Sequence, residues 1–84
     1  MKYEILIRKS AQKSLEALPS NDYQKVKQAI YDLSDEPRPL GCKKLTNRAG
    51  YRIRVGNYRV IYEIYDNKLE VIILLIGHRR DIYD

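Results

Sequence analysis

The stretch Tyr51-Arg52-Ile53-Arg54-Val55-Gly56-Asn57-Tyr58-Arg59-Val60-Ile61-Tyr62-Glu63-Ile64-Tyr65 decides how this chain folds. Tyr51, Ile53 and Val55 alternate with Arg52 and Arg54, Gly56-Asn57 interrupts, and Tyr58 to Tyr65 alternates again. A period of two marks strands, and a glycine-containing pair between two such runs marks a two-residue hairpin turn. That turn pairs Val55 with Tyr58, Arg54 with Arg59, Ile53 with Val60 and Arg52 with Ile61. Arg54 and Arg59 then face each other with Cβ atoms about 4.5–5.5 Å apart, where like charges destabilise by up to ~1 kcal/mol. Arg52 lies two residues along the same face. The simplest compensation is an anion that bridges the three guanidiniums. Phosphate fits, because the guanidinium fork donates paired hydrogen bonds to its oxygens, and arginine also stacks on bases. The competing reading is that these arginines pair with Glu63, Glu70 or Asp66 on neighbouring strands.

Downstream, Asp66-Asn67 forms the next turn, and Leu69 to Ile76 is so continuously apolar that it reads as a strand covered on both faces. Upstream, Pro37, Pro39 and Gly41 make an irregular connection. Before it, Tyr23, Val26, Ile30 and Leu33 form the stripe of a longer helix capped by Ser20 or Asn21. Ala11, Leu15 and Leu18 define a shorter helix capped by Ser10 and stopped by Pro19. Tyr3, Ile5 and Ile7 alternate with Glu4, Leu6 and Arg8 as a first strand. The order βααβββ predicts an α+β fold in which a helical hairpin packs on one face of a small, mainly antiparallel, twisted sheet.

The 84 residues suit one domain, residues 1–84, without a second core. Cys42 is the single cysteine, which excludes an intrachain disulfide scaffold and favours a reducing, cytoplasmic setting. With one Cys and one His, the usual nitrogen- and sulfur-ligand metal sites cannot be assembled, and no metal or cofactor is expected. The longest apolar run, Val71 to Ile76, is far short of the ~20 residues of a membrane span, and no secretory segment opens the chain. All eight aromatics are tyrosines, which favours half-buried positions where each hydroxyl finds a partner.

The net charge is +5, and its distribution matters more than its size. Residues 1–42 hold seven basic and six acidic side chains, against nine and five in residues 43–84. From Lys43 to Tyr62 there are six bases, Lys43, Lys44, Arg48, Arg52, Arg54 and Arg59, and no acid. A solubilising surface normally intersperses both signs, so this segregation points to an anionic partner. The ending His78-Arg79-Arg80-Asp81-Ile82-Tyr83 follows Gly77, where strand parity can break and turn Arg79 or Arg80 onto the arginine face. Asp81 reads as an ion-pair partner of Arg79 or Arg80. Cations around a phosphate, His78 to carry a proton and Tyr83 to stack on or orient a base suit attack by an RNA 2′-hydroxyl on its own phosphodiester.

Lys44-Leu45, the run Gly50 to Glu63 and the ending Gly77-His78-Arg79-Arg80-Asp81-Ile82-Tyr83 resemble the RelE/ParE superfamily of bacterial and archaeal type II toxins. The resemblance spans almost the whole chain. It implies a small toxin neutralised by a RelB-like antitoxin encoded beside it. Such a toxin either cleaves mRNA on the ribosome or poisons DNA gyrase; a third possibility is an attenuated toxin that acts with its antitoxin as a repressor complex. In the RelE branch the cutting face carries basic residues on two strands, an arginine after the last strand and a C-terminal tyrosine. Those positions fall on Arg52, Arg54, Arg59, Arg79 and Tyr83, with Lys43, Lys44, Arg48 and Arg80 as further phosphate-binding candidates. The first two are lysines in the best-known RelE pattern and arginines here. Arginine stays protonated, so the base falls to His78, to a lysine such as Lys43 or Lys44, or to the ribosome.

Overall fold

The computed structural model describes residues 2–46 and 48–78. In chain order the elements are β1 (Glu4–Ile7), α1 (Lys9–Glu16), α2 (Ser20–Asp32), β2 (Lys43–Lys44), β3 (Tyr51–Val55), β4 (Tyr58–Tyr65) and β5 (Glu70–His78). They form an α+β fold: one sheet in the order β1-β5-β4-β3-β2, with α1 packed on β5 and α2 on β3. β1 runs parallel to β5, and every other pairing is antiparallel.

The hairpin register is the one the turn dictates, with Val55↔Tyr58, Arg54↔Arg59, Ile53↔Val60 and Arg52↔Ile61. Gly56 takes φ 60° while Asn57 keeps a negative φ, so the turn is of type II′, whose first central position suits glycine. Gly50, at φ 120°, is fixed by space as well as conformation. A Cβ there would sit 2.8 Å from the Tyr62 carbonyl oxygen.

The core lies between the helices and one sheet face. Ala11 and Leu15 from α1, Val26, Ile30 and Leu33 from α2 and its end, and Ile53, Val60, Tyr62, Val71, Ile73 and Ile76 from the sheet are buried together. These are the stripes and alternations the sequence shows. Most tyrosines are half-buried as expected, but Tyr62 is fully buried. It can be, because its hydroxyl donates to the Pro37 carbonyl at 2.7 Å.

Several local expectations are corrected. Neither helix has a side-chain cap: Arg8 and Pro19 hold the N-cap positions, and Ser10 and Ser20 are already helical. Pro19 supplies the extended N-cap backbone by its ring, with φ −54° and ψ 150°. The segment after Gly41 contains an additional two-residue strand, β2. Strand parity breaks not at Gly77 but within the β4–β5 ladder, where the register shifts between Ile61 and Tyr62. Ile61 faces Leu75 and Tyr62 faces Ile73, so Leu74 is the extra residue. Nor is β5 covered on both faces. The helices cover one; on the other Leu75 is 38% exposed, and Leu45, Ile61 and Leu74 form a small second cluster beside Ile72.

Candidate nucleic-acid interface

The sheet face turned away from the helices is organised in rows set by the register. Nearest the hairpin turn, Arg54 lies opposite Arg59, and Arg59 lies opposite Gly77. Val55 and Tyr58 flank a two-residue turn and so form a hydrogen-bonded pair. The next pair, Arg54–Arg59, is therefore the closer, non-hydrogen-bonded kind, with Cα atoms about 4.5 Å apart. Gly77 itself adds no side chain opposite Arg59.

The next row runs Lys43, Arg52, Ile61 and Leu75. Arg54 and Lys43 are exposed, Arg59 is half-buried, and Arg52 is 3% exposed. Four cations from three strands thus share one corner of the face. Two of the carboxylates named in the competing reading take other partners. Asp66 receives the Arg38 guanidinium at 2.9 Å and the Tyr3 hydroxyl at 2.6 Å, which together hold it below the usual carboxylate range. Glu63 accepts from the Tyr65 hydroxyl at 2.8 Å. Glu70 stands between Glu4 and Tyr65 at the far end of the strands.

Other sequence candidates lie apart from this corner. Lys44 pairs with Tyr51, and so turns toward the helix side of the sheet edge. Arg48 is exposed in the loop before β3. His78 pairs with Tyr58 and meets its ring edge-on at 5.8 Å between centroids. The Tyr58 hydroxyl donates to Asp22 at 3.0 Å at the start of α2, so His78 belongs to the helix side and not to the arginine rows. Arg79, Arg80 and Tyr83 lie outside the described residues.

Two features of the corner are not evident from the sequence. One is the direct opposition of Lys43 and Arg52; its only sign is a pair of lysines before the hairpin, too short to show a period. The other is the exposed edge of β3. Among the described residues β2 pairs with Tyr51 and Arg52, and Ile53 to Val55 continue past it beside a groove of about 240 Å³ lined by Leu33, Pro39, Leu40 and Arg54 among others.

Comparison with known proteins agrees with this architecture. The model of the family described as ParE toxin of type II toxin-antitoxin system, parDE, matches residues 5–83. Toxin RelG of Mycobacterium tuberculosis is 36% identical over 85 residues, covering 99% of this chain and 98% of the relative. The archaeal RelE-RelB complex from Pyrococcus horikoshii superposes with a TM-score of 0.84 at 32% identity, covering 94% of this chain and 97% of that one. The toxin-antitoxin complex RelBE2 from Mycobacterium tuberculosis does so with 0.83 at 33%, covering 94% and 93%. With the hairpin arginines, the five-stranded sheet and these matches in hand, the chain belongs to the RelE/ParE superfamily and is a toxin of a type II toxin–antitoxin system.

Proposed function

We propose that this toxin is a ribosome-dependent mRNA endonuclease acting in the cytoplasm, and that the rows Arg54–Arg59 and Lys43–Arg52 are its phosphate-binding and cutting surface. The observation that carries this reading is the direct opposition of Arg54 and Arg59 beside the second cationic row. The Arg54 and Arg59 guanidiniums hold the scissile phosphate and neutralise charge as it develops on phosphorus, and the buried Arg52 adds its charge from beneath them. The 2′-oxygen of the preceding ribose bonds to phosphorus and the bond to the 5′-oxygen breaks, leaving a 2′,3′-cyclic phosphate and a 5′-hydroxyl. One proton leaves the 2′-hydroxyl and one reaches the 5′-oxygen. Arginine cannot release a proton under these conditions, so the described side chain of the basic corner suited to proton exchange is Lys43. Arg79 and Tyr83 complete the surface in this proposal, as the family resemblance implies. A RelB-like antitoxin neutralises it with an acidic segment laid on the basic corner. The β3 edge from Ile53 to Val55 supports addition of an antitoxin strand there.

The family described for the matching model, and arginine at positions 52 and 54, favour a second reading: a toxin that binds DNA gyrase without cutting RNA. Primer extension on cellular mRNA after induction separates the two. New 5′ ends inside translated codons are expected, and they disappear when Arg54 and Arg59 are both replaced by alanine. Intact mRNA with an early DNA-damage response contradicts the nuclease reading.

A further inference from the structure

β2 consists of two lysines, and one residue of register decides which of them reaches the basic corner. Lys43 lies opposite Arg52 and Lys44 opposite Tyr51. A slip by one residue turns Lys43 toward the helix side and brings Lys44 to the corner, because side chains alternate between the two faces. Two residues are shorter than an ordinary strand and have few ladder hydrogen bonds to hold them in place. On the C-terminal side Leu45 is an anchor. It is buried with Ile61 and Leu74, and its N–H donates to the Gly50 carbonyl at 3.0 Å.

On the N-terminal side the chain entering β2 is held by side chains that take no part in the basic corner. The Tyr62 hydroxyl donates to the Pro37 carbonyl at 2.7 Å and lies 3.4 Å from Sγ of Cys42, the residue just before Lys43. Burial pushes the Tyr62 phenol well above its ordinary range, so the hydroxyl keeps its proton and stays a donor. Next to Pro37, the Arg38 guanidinium stands 5.2 Å from the Tyr51 ring centroid, donates from Nε to the Tyr51 hydroxyl at 3.3 Å, and takes both Asp66 oxygens at 2.9 and 3.3 Å. Tyr51 is the residue that pairs with Lys44, and its ring stacks on Tyr62 at 6.1 Å between centroids. Asp66, Arg38, Tyr51, Tyr62 and Cys42 thus form one continuous tie from the turn after β4 to the start of β2. The Arg38 and Asp66 side chains are 44% and 56% exposed, and pairs that exposed add little to stability. What the two-pronged contact does fix is direction.

We infer that Tyr62 and Arg38 are positioning residues, which hold the chain before β2 so that Lys43, and not Lys44, faces the guanidinium rows. The consequence for cleavage rests on the proposed nuclease activity and its use of Lys43; the register does not. With Cys42 held on one side and Leu45 on the other, the two lysines between them are left one pairing. That pairing has its own reporter. Arg52 and Ile61 form a non-hydrogen-bonded pair, so the Arg52 N–H and C=O point the other way, and Lys43–Arg52 is the hydrogen-bonded pair. A slip by one residue turns the Lys43 N–H away from β3.

Amide hydrogen exchange of the full-length chain, followed by NMR, tests the register. Arg38→Met and Tyr62→Phe are each expected to speed exchange at Lys43 at least ~10-fold more than at Val60 and Ile73 in the middle of the sheet. Arg38→Lys, which keeps a cation beside Asp66, is expected to fall between wild type and Arg38→Met. Tyr62→Phe leaves the Pro37 carbonyl without its donor, so Arg38→Met, at a half-exposed site, decides the matter if Tyr62→Phe does not fold. Single-turnover cleavage of ribosome-bound mRNA reads the same device in the chemistry. Arg38→Met is expected to lower the rate at least ~10-fold with ribosome affinity within about twofold, and to cost less than about twofold in a Lys43→Arg background, since both changes act through one group. Exchange at Lys43 that stays as slow as in the wild type overturns the proposal. So does equal speeding at Val60 and Ile73, which makes the tie a matter of stability alone, or a rate loss of the same size with and without Lys43. A wild-type chain that cuts no mRNA overturns the nuclease reading instead, and exchange at Lys43 then decides the register by itself.

Discussion

The two ends of the open sheet face are built on one hydrogen-bonded ladder, yet they differ in how the chain assembles them. The basic end is local: Arg54 and Arg59 face each other because Gly56-Asn57 turns the chain between them. The acidic end is remote. Glu4 and Glu70 meet only because the first and last strands run side by side in parallel. Both ends set like charges opposite each other, and neither contributes to the helix-side core. Stability is built on one face of the sheet and charge is concentrated on the other. That division is what a sheet with period-two side chains permits.

The comparison is sharpened most by the residue that brings proton exchange to the basic end. Lys43→Arg keeps the charge opposite Arg52 and replaces the ammonium by a guanidinium, which cannot take part in proton exchange. We expect ribosomal cleavage to fall by roughly 10²-fold in single-turnover rate, with toxin binding to ribosomes nearly unchanged. Equal loss of binding and rate would make Lys43 a phosphate contact only.

A smaller effect tests the neighbouring turn, where one carboxylate is already neutralised. Asp66 is held low first by the Arg38 guanidinium and then by the Tyr3 hydroxyl, so its folded-state pKa lies below its unfolded value. The stability it contributes is fully present above the unfolded value, near about 3.9, and is lost as pH falls through the folded one. Denaturation midpoints followed from about pH 6 to pH 2 are expected to lose part of their acid limb in Asp66→Asn. An unchanged limb would show that this tie contributes nothing.

Much of the fold is legible in the amino-acid sequence. Alternation and a glycine turn set the hairpin register, and Val26, Ile30 and Leu33 set the buried face of α2. β2 is not legible because two residues carry no period. The parity break is hidden for a different reason: Val71 to Ile76 is apolar throughout, so an extra residue at Leu74 leaves no mark on the pattern. That hidden shift decides which side His78 takes, and it explains why His78 joins Tyr58 and not Arg59. The acidic end leaves no sequence signal because its glutamates are far apart in the chain. The three guanidiniums of the hairpin are legible because their neighbourhood is sequential.

The most direct measurement is single-turnover cleavage of ribosome-bound mRNA by the purified toxin, with each end of the face neutralised in turn. Arg54→Ala with Arg59→Ala is expected to reduce the rate at least ~10³-fold, while Glu4→Gln with Glu70→Gln leaves it within about twofold. Equal losses from the two pairs, or cleavage that survives removal of both arginines, would contradict the assignment of the chemistry to the guanidinium rows.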